Sequence, residues 1–310
     1  MRIIFMGTPE FAVASLDALV KAGMDVVAVV TAPDKPAGRG QQLSKSAVKQ
    51  YAVQNSIKVL QPEKLKNEDF LMELYALKAD LQVVVAFRML PEIVWNMPPK
   101  GTINLHASLL PQYRGAAPIN WAVINGEHQT GVTTFFLKHE IDTGDVLLMD
   151  KISIPETDTA GDVHDKLMQI GADLLVKTVQ VIADNTYKEV PQDEMIVSDA
   201  EATAVLKHAP KIFKDDCLIN WLQPVERVYN FIRGLSPYPT AFTHLNNKVL
   251  KIFKAEKQIT DVAISPGGFL TDHKTFLKFA CADGFILAKE VQLEGKKRMP
   301  VEEFLRGVKL

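Results

Sequence analysis

An amide and an imidazole stand two positions apart at the end of a predicted strand, as Asn104-Leu105-His106. Residues i and i+2 of a strand face the same way, so these two side chains should project side by side. An imidazole can carry a proton to or from a reacting group, and an amide N–H can stabilise a developing oxyanion. The sequence therefore offers Asn104 and His106 as catalytic candidates, with a purely structural pair at a strand end as the alternative.

A second polar segment, residues 139–145 (HEIDTGD), follows a strand-like run. Asp-Thr-Gly is typical of aspartic proteases, but those need a second such half in an all-β chain, and the sequence contains neither. A metal site is a further alternative, although no compact motif such as His-Glu-x-x-His occurs. Its ligands would be His106, His139, Asp142 and Asp145. We favour a pairing of Asp142 with His106, since a neighbouring carboxylate fixes the tautomer of an imidazole, and we expect no metal.

These residues need a scaffold, and the N-terminal two thirds of the chain alternate short apolar runs with helix-period segments. The predicted strands are 3–6, 26–30, 81–86, 102–105 and 132–137, and the predicted helices are 9–21 and 161–183. Continuous apolar strands separated by helices are typical of a parallel sheet covered on both faces. The predicted fold class is α/β, with a doubly wound, mostly parallel sheet. In such sheets ligands bind beyond the carboxyl ends of the strands, where Asn104 and His106 fall.

The last third of the chain has a different pattern. An amphipathic helix at 225–232 is followed by short strands with turn signals, which are typical of a small β-barrel. The predicted barrel strands are 249–255, 269–271, 275–280 and 284–291. A polar stretch bounded by Pro191 and Pro210 separates the two patterns. The sequence thus predicts a catalytic domain at 1–189, a linker at 190–209 and a small C-terminal domain at 210–310.

A dinucleotide-binding fold would place a glycine-rich turn after the first strand. Only Gly7 is present there, so the Gly-x-Gly-x-x-Gly spacing is absent and we disfavour NAD binding. Asp34 stands near the end of the second strand, where a ribose-binding acid could lie, but Pro33 and Lys35 around it indicate a loop. The segment 32–43 holds two Pro and two Gly and predicts an exposed, mobile loop.

The 310 residues are 47% hydrophobic and 23% charged, which is typical of a globular protein. The net charge of −2 is unevenly distributed. Residues 1–204 carry 18 Lys and Arg against 26 Asp and Glu, whereas residues 205–310 carry 17 against 11, a net charge of +6. The basic last third indicates a polyanionic partner, with solvated lysines placed by chance as the alternative. No apolar run approaches the roughly 18 residues of a membrane span, and no export signal is found, so we expect a cytoplasmic protein without membrane contact.

The segment 108–118 (SLLPQYRGAAP), just after His106, resembles the signature of the folate-dependent formyltransferases, and residues 142–145 (DTGD) follow at the family's spacing. The resemblance implies a Rossmann-like core of the formyltransferase type and 10-formyltetrahydrofolate as the formyl donor. It assigns the catalytic roles to Asn104, His106 and Asp142. It also implies a folate pocket lined largely by backbone groups. The residues of that pocket would be Val85, Ala86, Phe87, Arg88, Met89, Leu90, Ser108, Leu109, Leu110, Pro111, Leu137 and Ile141.

Four further segments resemble the branch of this family that acts on methionyl-tRNA: 6–12 (MGTPEFA), 33–40 (PDKPAGRG), 219–221 (INW) and 232–239 (IRGLSPYP). The resemblance covers nearly the whole chain. It implies formylation of the amino group of methionyl initiator tRNA and an OB-like C-terminal barrel. We expect the protein to be a monomer. The expected tRNA contacts are Lys35, Arg39, Lys248, Lys251, Lys296 and Lys297. Sugar-nucleotide formyltransferases share the core and a smaller C-terminal extension, and they are the alternative.

The sequence departs from the family at the expected folate edge. The family usually has Ala-Tyr-Gly before Leu-Pro, whereas residues 86–91 here read AFRMLP. Arg88 in place of Gly removes φ freedom and adds a charge. We therefore expect a loop of different local shape at this position.

Overall fold

A computed structural model describes residues 1–37, 42–198 and 205–308 of the chain. The strands are β1 (Arg2–Gly7), β2 (Asp25–Val30), β3 (Lys35–Ala37), β4 (Gln42–Ser44), β5 (Lys58–Leu60), β6 (Leu81–Val85), β7 (Thr102–His106), β8 (Arg114–Gly115), β9 (Gln129–Phe136), β10 (Val146–Ser153), β11 (His208–Ala209), β12 (Phe242–Leu245), β13 (Lys248–Ile259), β14 (Phe269–Thr271), β15 (Leu277–Ala280), β16 (Gly284–Leu293) and β17 (Met299–Pro300). The helices are α1 (Glu10–Lys21), α2 (Ala47–Gln54), α3 (Glu68–Ala76), α4 (Glu92–Trp95), α5 (Pro118–Ile124), α6 (Ala160–Ala183), α7 (Gln192–Ser198), α8 (Val225–Gly234) and α9 (Val301–Gly307). None of these helices has the length and apolar character that crossing a membrane requires.

A seven-stranded sheet in the order β10-β9-β7-β6-β1-β2-β5 forms the larger part of the fold. The pairs β6–β7, β1–β6, β1–β2 and β2–β5 are parallel, and β9 runs antiparallel to β7. The strands β1 and β6 are buried almost throughout, which is why their sequences are continuous apolar runs. The predicted fold class, α/β with a mostly parallel sheet, is confirmed.

The two faces of β7 have different surroundings. Leu105 faces α6, because a Cβ built at Gly171 of that helix would lie 3.1 Å from Leu105 Cδ2. A glycine at this position lets the helix approach the strand closely. Side chains alternate along a strand, so Asn104 and His106 face the opposite side of the sheet from Leu105. The cross-strand partners of these two residues are Phe135 and Thr133 of β9.

The C-terminal sheet is antiparallel, in the order β12-β13-β16-β15-β14 with β17 paired to β16. It curls as half of a barrel, and β13 carries two register shifts against β16. Helix α8 buries Val228 and Ile232 in one cluster with Leu250 and Ile252 of the sheet. Trp221 stacks on Phe279 with ring centroids 4.9 Å apart.

The chain divides into two compact units, each assembled from separate stretches. Unit 1 comprises Met1–Arg114, Gly131–Ile152 and Asp165–Lys207, and unit 2 comprises Gly115–Thr130, Ser153–His164 and His208–Leu310. Two short stretches within the predicted catalytic domain 1–189 therefore belong to unit 2, and most of the predicted linker 190–209 belongs to unit 1.

Two segments expected to be irregular contain regular structure. The predicted loop 32–43 includes β3 and the first two residues of β4. These strands pair antiparallel with Pro36 opposite Leu43, which satisfies backbone polar groups that a loop would leave to water. Residues 38–41, with Arg39, lie outside the described residues. The predicted linker includes α7, and Val190 and Val146 exchange two backbone hydrogen bonds of 2.9 Å.

Candidate active site

The imidazole of His106 lies at the carboxyl end of β7 and is only 7% exposed. Its Nε2 lies 2.9 Å from the backbone carbonyl oxygen of Tyr113. A carbonyl can only accept a hydrogen bond, so Nε2 is assigned as the donor, and the lone pair of the neutral ring is on Nδ1. Nδ1 lies 3.7 Å from Oδ2 of Asp142. The ring nitrogen that can take up a proton therefore faces the carboxylate.

Asp142 belongs to the loop that connects β9 and β10. Its side chain is 12% exposed, and its φ of +55° lies in the left-handed region that non-glycine residues rarely adopt. The loop is closed at its base by a hydrogen bond from the Phe136 amide to the Asp145 carbonyl and by a 2.7 Å ion pair between Lys138 and Asp145. The structure thus places Asp142 beside His106, 36 residues earlier in the sequence. The loop must hold Asp142 in its left-handed backbone conformation to keep it there.

Gly144 is the tightest point of this loop. A Cβ at this position would lie 1.6 Å from the carbonyl oxygen of Phe136, so any side chain would push the loop away from β9. We expect Gly144→Ala to lower kcat by about 10-fold or more, because displacing a catalytic group by roughly 1 Å can cost about 100-fold. Steady-state kinetics with Gly307→Ala as the control, whose added Cβ meets open space, measures this effect. Normal turnover of Gly144→Ala would show that the loop holds no catalytic group.

Asn104 lies in the middle of the sheet, between Val84 of β6 and Phe135 of β9. It is half-buried, and its side-chain amide makes no hydrogen bond to any residue in the described ranges. A polar side chain on a sheet face normally finds a partner. The amide is therefore available to a bound molecule on the face that also carries His106.

The residues expected to line a folate pocket fall into two groups. Four have buried side chains, so only their backbone could meet a ligand: Val85, Leu90, Ser108 and Leu110. The other eight are half-buried or exposed: Ala86, Phe87, Arg88, Met89, Leu109, Pro111, Leu137 and Ile141. Met89 is 72% exposed and Ile141 is 57% exposed, so both side chains are accessible to a bound molecule.

Arg88 needs no glycine-like backbone conformation here. Its φ is not positive, whereas the neighbouring Ala86 has a φ of +48°. The Arg88 guanidinium donates to the carbonyls of Pro62 and Glu63, at 2.9 Å for Glu63, and lies 5.6 Å from the Phe87 ring centroid. Burial lowers the pKa of Arg88 below its ordinary value. The added charge is therefore held by residues 62–63.

His139 and Asp34, which belong to the alternative metal and ribose sites, have other partners in the structure. His139 contacts Glu92 at 3.4 Å and the edge of Trp95, and no group of three or more metal-ligating side chains occurs among the described residues. Asp34 is held by Lys49 at 2.6 Å and Gln61 at 2.9 Å, and hydrogen bonds from Gln61 and Lys49 lower its pKa. A carboxylate with two protein partners is poorly placed to bind a ribose.

The lysines expected to contact tRNA lie on exposed or half-buried positions. Those in the described ranges are Lys35, Lys248, Lys251, Lys296 and Lys297. None of these five forms an ion pair with a described residue. By contrast, Lys257, Lys289 and Arg298 of unit 2 are all paired with glutamates. Four of the five, Lys248, Lys251, Lys296 and Lys297, lie in the basic last third of the chain.

Sequence reasoning missed Gln192, which is 2% exposed and donates to the carbonyls of Asp142 and Gly144, at 2.8 Å each. It also assigned no contact to the Tyr113 carbonyl that binds His106. Gln192 lies in a polar stretch of the sequence, 50 positions after Asp142, and belongs to no recognisable motif. No spacing or periodicity in the sequence points to it.

Two family models together match most of the chain. The family model described as formyl transferase matches residues 1–179, and the model described as formyl transferase, C-terminal domain matches residues 211–309. Among solved structures, WlaRD, a sugar 3N-formyl transferase in the presence of dTDP and 5-N-formyl-THF, superposes with a TM-score of 0.66. It is 23% identical and covers 96% of this chain and 99% of its own, a likeness of fold.

The curated relatives are much more similar in sequence. Methionyl-tRNA formyltransferase of Bacteroides fragilis is 56% identical over 315 residues, covering 100% of this chain and 96% of its own length. The protein of the same name from Parabacteroides distasonis is also 56% identical, with the same coverage. The similarity to these relatives therefore covers both the N-terminal and the C-terminal parts of the chain. The chain belongs to the formyltransferase family, among the methionyl-tRNA formyltransferases.

Proposed function

We propose that this chain transfers the formyl group of 10-formyltetrahydrofolate to the α-amino group of methionyl initiator tRNA, and so serves translation initiation. The observation that carries the proposal is the 56% identity to methionyl-tRNA formyltransferases over the whole chain, including the C-terminal unit. A sugar-nucleotide substrate is the second candidate, because WlaRD has the same fold over 96% of this chain. Identity of 23% supports the fold and leaves the acceptor to be tested.

Methionyl-tRNA reacts as the free amine, after its ammonium form has released one proton to solvent, because an ammonium group has no lone pair with which to attack. The free amine still needs a base as it attacks. The amine nitrogen forms a bond to the formyl carbon and loses a proton to Nδ1 of His106, directly or through water. The resulting imidazolium is stabilised by the Asp142 carboxylate, 3.7 Å away, and by the Tyr113 carbonyl at Nε2. The bond between the formyl carbon and N10 of the folate then breaks. N10 receives the proton from His106, which regenerates the neutral ring.

Asn104 is proposed to stabilise the negative charge that develops on the formyl oxygen. Its amide shares the sheet face of His106 and makes no hydrogen bond to a described residue. A donor aimed at a developing oxyanion contributes about 3–4 kcal/mol in comparable sites. The formyl carbon would therefore lie between an amide donor and an imidazole base.

The formyl donor is proposed to bind between the end of β6 and the β9–β10 loop. Apolar side chains of Met89 and Ile141 offer contact to its rings, while backbone groups near Val85 and Leu90 offer hydrogen bonds. The Arg88 guanidinium donates to the Glu63 carbonyl, so its charge already has a protein partner at this edge. The proposal is tested by measuring tetrahydrofolate formation from its absorbance, in parallel reactions with and without methionyl-tRNA. Formation that is unaffected by methionyl-tRNA would refute it.

The tRNA is proposed to contact two basic regions. Lys248, Lys251, Lys296 and Lys297 of unit 2 would meet phosphates, and Lys35 with Arg39 would meet the acceptor end. Phosphate contacts add affinity without sequence information, whereas a contact beside the first base pairs can discriminate between tRNAs. We propose that the protein is located in the cytoplasm, where aminoacyl-tRNA is made. We also propose that it is a monomer, and the sedimentation coefficient of the purified protein tests this oligomeric state.

Changing Lys296 and Lys297 together to Ala is expected to weaken tRNA binding and flatten its salt dependence. Each lost phosphate contact should reduce the slope of log K against log salt by up to about 1. Binding titrations at several salt concentrations measure this slope. The control removes two paired lysines, Lys58 and Lys289, whose charges are compensated by Glu73 and Glu256 at 2.9 Å. Equal slopes for the two double variants would leave the +6 charge of residues 205–310 without a role in tRNA binding.

A further inference from the structure

The side chain of Gln192, the first residue of α7, uses its whole hydrogen-bonding capacity inside unit 1. Its Nε2 donates to the carbonyls of Asp142 and Gly144, at 2.8 Å each. Its Oε1 accepts from Nε of Arg114 at 2.9 Å and from Nη2 of Arg114 at 2.6 Å. Arg114 can only donate and the two carbonyls can only accept, so the amide fits in one orientation. Gln192 is therefore a fixed connection between Arg114 and the Asp142 loop.

The Asp142 loop needs such a connection. A non-glycine residue in the left-handed region costs on the order of 1–3 kcal/mol and persists only where its surroundings impose it. Asp142 has a φ of +55°. Gln192 binds the carbonyl of Asp142 and the carbonyl two residues later, and thus fixes both ends of the turn. That turn directs the carboxylate of Asp142 toward Nδ1 of His106.

Gln192 is itself held firmly on unit 1. Val190, two residues earlier, exchanges two backbone hydrogen bonds of 2.9 Å with Val146 at the start of β10. Met195, three residues later, packs against a buried cluster that includes Leu110 and Phe135. The amide is therefore placed by anchored backbone on both sides.

Arg114 connects the same network to the imidazole. The residue before it, Tyr113, has a φ of +61° and presents the carbonyl that accepts from Nε2 of His106. The backbone of Tyr113 is anchored in turn, because its amide donates to the carbonyl of Lys207 at 2.7 Å. Tyr113 thus orients the imidazole of His106 through its backbone carbonyl. Arg114 acts on the carboxylate of Asp142 through Gln192.

We infer that Gln192 and Arg114 are positioning residues, which act on the reaction by holding Asp142 against His106. The inference rests on the proposed function, in which that pair handles the proton. Gln192 lies outside both matched segments, 1–179 and 211–309. Part of the catalytic arrangement is therefore supplied by the segment between the two formyltransferase regions.

The first test is Gln192→Met, which keeps the length of the side chain and removes all four hydrogen bonds. We expect kcat to fall by about 10- to 100-fold, as for a catalytic group misplaced by roughly 1 Å, with KM for both substrates changed less than about 2-fold. Gln192→Glu keeps an acceptor for Arg114 but cannot donate to the carbonyls, and should show the same loss. This second variant keeps the test valid if Gln192→Met folds poorly.

The deciding measurement is a double-mutant cycle with Asp142→Asn. If Gln192 acts through Asp142, Gln192→Met should lower kcat less than about 2-fold in the Asp142→Asn background. The control is Gln82→Met, another buried glutamine of unit 1, which accepts from Thr102 at 3.1 Å and should leave kcat unchanged. Equal effects of Gln192→Met in both backgrounds would overturn the inference. A normal rate for Asp142→Asn alone would instead overturn the proposed role of Asp142, and the inference with it.

Discussion

Replacing His106 by alanine is expected to lower kcat by at least about 100-fold, the usual contribution of a positioned general base. The loss of stability should be small, because one hydrogen bond to the Tyr113 carbonyl disappears, a contribution on the order of 1 kcal/mol. Single-turnover formyl transfer and thermal unfolding of the same preparation separate the two effects.

The matched control for this variant is His139→Ala. His139 is 74% exposed on its side chain and lies against Glu92 and Trp95 rather than Asp142, so its loss should leave kcat unchanged. Free imidazole added to His106→Ala should restore part of the rate by occupying the space beside Asp142. A His106→Ala variant that turns over at nearly the normal rate would remove His106 from the mechanism.

Asn104→Ala is expected to have the second largest effect, a fall in kcat of about 100- to 1,000-fold, equivalent to losing one oxyanion donor. The interaction forms only as charge develops, so kcat should fall while KM for the formyl donor stays nearly constant. Steady-state kinetics over a range of both substrates measures this split. Asn55→Ala is the control, since that exposed amide donates to the Tyr51 carbonyl and to no other residue that the structure describes. A raised KM with unchanged kcat would assign Asn104 to substrate binding instead.

The sheet and its polar face could be predicted because they follow from local periodicity. The apolar runs of β1, β2, β6 and β7 are long enough to indicate buried strands, and alternation alone puts Asn104 and His106 on one face. The structure extends several of these elements by one to four residues; β13, for example, continues to Ile259. Strand ends depend on pairing partners, which a single sequence does not specify.

The arrangement around Asp142 could not be predicted in the same way. The left-handed φ of Asp142 depends on hydrogen bonds from Gln192, 50 residues further along the chain, and on the close approach of Gly144 to the Phe136 carbonyl. These are tertiary contacts between segments without periodicity. The same reason explains why α7 was not predicted. Its polar sequence suggests a linker, and the contacts of Val190 and Met195 with distant residues of unit 1 are not visible in the sequence.

The most direct test of the proposed function is a competition for the formyl group. Purified protein and 10-formyltetrahydrofolate are mixed with methionyl initiator tRNA, methionyl elongator tRNA and a nucleotide-linked amino sugar in equal amounts, and the formylated products are identified by mass spectrometry. A methionyl-tRNA formyltransferase should place nearly all of the formyl group on the methionine of the initiator tRNA, and His106→Ala should abolish that product. Formylation of the amino sugar, with the methionyl-tRNAs unmodified, would contradict the proposed function.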